Sequence, residues 1–373
     1  MALTDIEAGR LADNVFNVVG ANKNLIINGA MQVYQRSGVS TNIVGYHLDR
    51  WEMGASGGAR NTTQESLSSG DPYTEGFRSF HRLTNTTGSS STSSYRLITQ
   101  YIEAQNLANS GWNYTSSTSY VTLSFWVRAS IAQTYYIKLK TPDGTQQGYG
   151  SAFSVAADTW TKVTKTIPGN SNITINNDNG RGMEVSFVPY YNTDYTDSGF
   201  TTDAWGTYSA SSQLPDMTTT WGTTDGATFD ITGVQLEVGS VATPFEHRSY
   251  GDELARCQRY YYKVGGVANP ISNGDTFGVG IAIDSDFGRP VIVFPVTMRE
   301  EVTTVETTGT ASDYLVAYKN QEVACGLAPI FSAGSATSAR ITFALSTSPM
   351  TQGHAMEGRA NNSNAYLGFS AEL

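Results

Sequence analysis

Charge is scarce in this sequence. Only 15% of the 373 residues are Asp, Glu, Lys or Arg, against roughly a quarter in an average soluble domain. The little there is leans acidic, with a net charge of −10 and an isoelectric point near 4.9. A phosphate-binding surface needs clustered Lys and Arg, and no cluster is present, so nucleic acid is not an expected partner. Cysteine is nearly absent. Cys257 and Cys325 make no disulfide framework and show no metal-ligand spacing, so two free thiols are expected. No apolar run nears the ~20 residues that span a bilayer, which argues against membrane insertion. The opening stretch MALTDIEAGRLADNVF carries Asp5 and Glu7 and lacks the basic-then-apolar layout of a secretion signal, so export by such a signal is not expected.

Catalytic signatures are missing as well. The four histidines, His47, His81, His247 and His354, form no HExxH, HxH or His-Cys arrangement. His47 stands two residues from Asp49 in YHLDRW, where a loop hydrogen bond is the expected role rather than metal ligation. No G-x-S-x-G, G-x-x-x-x-G-K or G-x-G-x-x-G occurs. Cleaving a glycosidic bond takes two carboxyls roughly 5–9.5 Å apart. The close acidic pairs, Asp194/Asp197, Asp284/Asp286 and Glu300/Glu301, read as solvated loop acids, and no Gly-rich calcium loop surrounds them. No catalytic residue, metal or cofactor is therefore expected.

What fills the gap is Ser, Thr, Asn, Gly and Tyr, with 37 Gly and 21 Tyr. Thr and Tyr suit a pleated, half-buried surface, and Gly and Asn supply tight turns. Alternation is clearest in YVTLSFWVRAS (120–130), where Val121, Leu123, Phe125 and Val127 oppose Thr122, Ser124, Trp126 and Arg128. YYIKLKTPDGTQQGYG, TWTKVTKTIPG, MEVSFVPYY and TFDITGVQLEVG continue the series, and short strands at this spacing predict an all-β jelly roll or β-sandwich. A further strand is expected after an Asn28-Gly29 turn, around Met31 and Val33. Residues 4–16 read as a short helix with a Thr4/Glu7 capping box, and 251–262 as a second helical stretch. After a Gly/Pro/Asn-rich opening, FGVGIAI, RPVIVFPVTM, EVTTVETT, YLVAYKN, RITFALST and AYLGFSAEL predict a distal β-sandwich. The expected division is an N-terminal anchoring segment (1–23), a jelly-roll domain (24–250), a helical linker (251–263) and the distal domain (264–373).

NLIINGAMQVYQRSG with the following DRW, then LSFWVRAS, then GVQLEVGSVATPFEHRSYGDELARCQRYY, resembles a module of bacteriophage and prophage tail fibre proteins, over about residues 24–262. The middle of this stretch is similar to the carbohydrate-binding jelly-roll domains appended to glycosidases. The resemblance implies a structural virion fibre or adhesin subunit of a tailed bacteriophage, oligomeric and expected to be a homotrimer, assembled in the host cytoplasm. It would attach to a host cell-surface glycan or receptor and to other tail or capsid proteins. From the residues themselves, the apolar face of the 4–16 helix (Ile6, Leu11, Val15, Phe16) is expected to make 1–23 the docking segment, and the polar loops NPISNGD and MTQGHAMEGRANNSNAY are expected to turn the domain after 263 toward the host. A capsid-bound fibre or decoration protein and a polysaccharide-depolymerase tailspike are the alternatives.

One aromatic cluster stands out within this frame. Tyr190, Tyr191 and Tyr195 precede Trp205, Tyr208 and Trp221 in a polar Gly/Thr-rich region. Rings in loops stack on the apolar faces of sugars while Asn and Asp take the hydroxyls, so these six are the candidate ligand-binding residues. Packing beneath long loops is the competing role for them.

Overall fold

The structure is a computed structural model that describes residues 23–36, 40–42, 44–265 and 272–373. The expected helix over 4–16 lies outside the described residues, as does the anchoring segment 1–23 apart from Lys23. The chain divides into two compact units. The first holds residues up to Met31, Gly54–Asn61 and Glu65–Arg248; the second holds Gln32–Met53, Thr62–Gln64 and Ser249–Leu373. The expected 24–250 domain is thus interrupted by a stretch that belongs to the second unit.

Both units are all-β. In the first, one sheet runs Ala59–Ser66, Ser79–Thr87, Ala227–Val238, Tyr120–Ala129, Thr161–Pro168. The other runs Trp205–Thr207, Gln147–Val155, Gln133–Thr141, Arg181–Tyr191, Tyr95–Glu103. The ladders between these strands are antiparallel, and strands close in sequence repeatedly change sheet, which gives the jelly roll. Val121, Leu123, Phe125 and Val127 are wholly buried as expected, though Thr122, Ser124 and Trp126 on the other face are buried as well, and Phe125 meets Phe187 and Phe153 of the opposite sheet at ring distances of 4.8 and 5.3 Å. Such edge-to-face pairs add to the roughly 2–3 kcal/mol that burying each ring contributes.

The strand expected after Asn28-Gly29 does not form. Asn28 and Met31 both adopt left-handed backbone (φ 57°), so the segment winds while still burying alternate side chains. It is held by its ends instead. Leu25 N donates to Leu236 O (2.8 Å), Val234 N donates to Gly29 O (3.0 Å), and the Asn24 side chain bonds both Val234 O and Leu236 N. A Cβ on Gly29 would come within 2.1 Å of Val234 O, so this approach requires glycine.

The second unit has a sheet in the order Gln321–Ala324, Tyr314–Tyr318, Ala355–Ala360, Thr276–Ala282, Phe287–Val293, Ser338–Ala344, Ile330–Gly334. A two-stranded ladder of Tyr261–Gly265 and Tyr366–Ser370 packs Leu367 and Phe369 into the same core as Phe277, Ile341 and Phe343. The expected EVTTVETT strand is reduced to a single bridge, Glu306 to Gly368, although Val302 is wholly buried. Residues 251–263 are no linker. Ser249 caps a helix over Tyr250–Gln258 by accepting from Asp252 N (3.2 Å), and the chain turns directly into Tyr261–Gly265. Burial of Cys257, Tyr260 and Tyr261 ties this stretch into the unit.

A polar network closes that unit. Glu372 pairs with Arg50 and, at 3.3 Å, with Arg36. The two guanidiniums lie over the Tyr260 and Tyr261 rings at 3.4 and 3.5 Å. Burial, the largest single influence, would lower both arginine pKa values; Glu372 together with Asp49, Tyr261 and Glu306 around Arg36, and with Tyr260, Tyr46 and Cys257 around Arg50, outweighs it and holds them above the usual range. Gln35 donates from its backbone and side chain to Asp49, each at 2.6 Å, and from its side chain to Tyr261 O (2.8 Å).

Glu372→Ala removes the carboxylate paired with Arg50, whose side chain is 1% exposed. The expected loss is about 3–5 kcal/mol, read as an earlier urea midpoint for the C-terminal unit. Cys257 and Cys325 are free and buried, and burial raises the thiol pKa of each, that of Cys325 to about 12. Folded protein at pH 8 should resist iodoacetamide, while urea-unfolded protein without reductant should take two adducts by mass.

Candidate ligand-binding cleft

The cleft originates in strand Gln133–Thr141. Tyr135, Ile137 and Leu139 are wholly buried toward the core, so Tyr136, Lys138 and Lys140 project from the other face of the sheet. Across the ladder they oppose Ala152, Gly150 and Gly148, which have almost no side chain. The chain between 192 and 215 returns over this bare strip. Asp203 N donates to Gly150 O and Tyr208 N to Gln146 O, both at 2.8 Å. A Cβ on Gly150 would press on Leu214 and Phe200 at 2.7 and 2.9 Å, and one on Gly148 would touch Tyr208 at 3.5 Å. The result is a cleft of about 390 Å³ with Lys138 and Gly148 in its base, Phe200 and Tyr208 as walls, and Thr207, Ser209, Ser212 and Gln213 supplying hydroxyls and an amide.

The six sequence-predicted residues divide. Tyr208 lines the cleft, half-buried, with Lys140 Nζ 4.4 Å from its ring centre. Trp205 also borders it, but stands directly opposite Tyr149, with ring centres 5.3 Å apart, and donates from Nε1 to Pro168 O at 2.7 Å. Residues directly opposite share a face, so its ring lies on the side of Tyr149 and not of Lys138. Tyr190, Tyr191 and Trp221 are buried and not available to stack on a ligand, which corrects the expectation for these three. Tyr190 lies against Gly222 and donates to Ser89 O; Trp221 donates from Nε1 to Thr228 O at 3.0 Å. Tyr191 packs with Tyr136, Val188 and Leu214, and Tyr195 covers them from outside. This small core holds the 192–215 segment down.

Sequence reading missed Lys138, Phe200 and Gln213. Lys138 looks like one more polar position in YYIKLK, yet the residue is only 5% exposed. Its Nζ donates to Gln213 Oε1 at 2.8 Å and to the Tyr191 hydroxyl at 3.1 Å. Burial lowers its pKa, with Glu184 opposing the shift. Burial also raises the Tyr191 and Tyr208 phenols, so both remain neutral donors at neutral pH.

The acidic pairs take local roles. Asp197 accepts from Gly199 N, Asp284 accepts from the backbone of Asp286 and Phe287, and Glu300 pairs with Arg299. His47 meets Tyr34 (2.6 Å), while Asp49 serves Gln35. Among the described residues no three His, Cys, Asp or Glu gather as a metal site, and no helix is long and apolar enough to cross a membrane.

No protein-family model matches the chain, and no curated protein matches its sequence. Among solved structures, part of this chain is similar to each of the following. The enzymatically active domain of tailspike protein 4 from bacteriophage CBA120 is 11% identical over 58% of this chain, with a TM-score of 0.32, and only 22% of that longer chain is covered. The N-terminal cellulose-binding domain of β-1,4-glucanase C from Cellulomonas fimi is 10% identical over 52% of this chain and 90% of its own, with a TM-score of 0.28. The carbohydrate-binding module TmCBM61, solved with β-1,4-galactotriose, is 10% identical over 59% and 100%, with a TM-score of 0.27.

Proposed function

We propose that this chain is a structural fibre or adhesin subunit of a tailed-bacteriophage virion that holds a host-surface glycan in the cleft beneath residues 192–215. The observation that carries the binding half is the composition of that cleft. Its volume of about 390 Å³ suits one or two sugar rings, Tyr208 and Phe200 present apolar surface, and Thr207, Ser209, Ser212 and Gln213 offer hydrogen bonds. Among its described lining residues there is no Asp or Glu, which favours holding a glycan over hydrolysing one.

The virion half rests on the motifs that resemble tail fibre proteins. NLIING is the segment that Asn24 and Gly29 fasten to GVQLEV, while QVYQR, DRW and RCQRYY supply Gln35, Arg36, Asp49, Arg50, Tyr260 and Tyr261. These motifs specify how each unit closes. In this reading the subunit is a homotrimer and residues 1–23 dock it on other virion proteins.

Tyr208→Ala should weaken binding to isolated host envelope polysaccharide at least tenfold, measured by biolayer interferometry, with the melting temperature unchanged within a few degrees. Unchanged binding would remove the cleft from the proposal, and release of reducing ends from that polysaccharide would overturn the adhesin reading. Light scattering at micromolar concentration should give three times the 40.2 kDa chain mass; a stable monomer contradicts the trimer.

A further inference from the structure

We propose that the cleft selects an acidic glycan, one whose sugar ring carries a carboxylate, and that Lys138 receives that charge. The inference rests on the reading of the cleft as a glycan site and adds the class of sugar. Lys138 is a buried ammonium whose partners are the Tyr191 hydroxyl and the Gln213 side-chain oxygen, neither of them charged. The nearest carboxylate, Glu184, faces Lys140 at 3.5 Å. Among the described residues Lys138 makes no ion pair. Taking an ammonium out of water without a counter-charge is costly, and a buried lysine normally sits beside a carboxylate.

Holding down the 192–215 segment does not require that cost. The neutral cluster of Tyr136, Val188, Tyr191 and Leu214 already does so by apolar burial, and a neutral donor would serve Gln213 equally well. The glycines explain the arrangement better. Gly150 stands directly opposite Lys138 and Gly148 directly opposite Lys140, so neither contributes a side chain beside the lysine, and Lys138 itself lines the cavity. Two of the three ammonium donors are used, which leaves one for a ligand. A carboxylate there completes the set and supplies the missing charge, while Tyr208 and Phe200 flank the ring that carries it.

The test is titration calorimetry of the full chain against paired oligosaccharides. Galacturonate, glucuronate and sialate oligomers are compared with their methyl esters, which keep the ring and remove the charge. Expected are at least tenfold weaker binding of the esters, loss of that preference in Lys138→Met, and its retention in Lys138→Arg. Affinity for the acids should fall with added salt, and should fall as pH rises and Lys138 loses its proton. The ester comparison uses unaltered protein, so a poorly folding Lys138→Met leaves it decisive. Equal binding of acids and esters overturns the charge assignment while supporting the glycan reading. Acetate competing as well as the acidic sugars at equal concentration overturns the sugar assignment in favour of a bare anion site. Binding to no oligosaccharide, charged or neutral, overturns both.

Discussion

The closure of the C-terminal unit turns on one carboxylate above the others, that of the penultimate residue, Glu372. Arg36 and Arg50 reach it from segments more than 300 residues earlier, and it pairs with both guanidiniums where they lie buried over the Tyr261 and Tyr260 rings. Removing one partner from such a set leaves a desolvated charge, which is far worse than never having built it. The same carboxylate region also anchors the last strand's exit: Arg299 donates to the Ala371 and Glu372 carbonyls, and Tyr46 donates from its hydroxyl to Leu373 O. A chain with so few charges spends several of them here, which makes closure of this unit specific to its own far ends.

The N-terminal unit solves the same closure problem with an amide and one arginine paired to Glu246. Asn24 uses both ends of its amide to satisfy the backbone of strand Ala227–Val238, and Arg248 donates to the Asn24 and Ile26 carbonyls from the far side. An extended segment that begins a fold presents unpaired N–H and C=O groups, and burying them unmet would cost more than most apolar contacts return. The winding at Asn28 and Met31 follows from this. The segment satisfies its backbone through side chains and two ladder bonds, so it has no need of a regular strand.

Legibility from sequence followed the strength of the local pattern. Tyr120–Ala129 and Ala227–Val238 were readable because apolar residues alternate along the first throughout and along the second on either side of Gly233, although both strands are buried at nearly every position. Ala355–Ala360 was not, since AMEGRA has no β-branched residue and becomes a central strand only because Thr276–Ala282 and Tyr314–Tyr318 pair on either side of it. EVTTVETT erred the other way: it has β propensity but finds a single bridge, so its backbone has no ladder to complete. The helix after Ser249 was readable from the spacing of Leu254, Cys257 and Gln258; its early end was not, because Tyr260 and Tyr261 leave the helix for burial in the second unit.

The cleft shows why a list of aromatic residues locates a site poorly. Tyr190 and Tyr191 end an eleven-residue strand that is buried on both faces from Val185 onward, so two successive rings are both covered. Composition cannot report such burial. What makes the cleft is an absence, the run Gly148 and Gly150 opposite two lysines, which allows a loop to cross the sheet without filling the space beneath it. The residues with the most chemistry there are a lysine that reads as ordinary strand alternation and a glutamine that reads as loop. Their significance comes from being buried side by side, a property of the pairing between strands and not of any stretch of sequence.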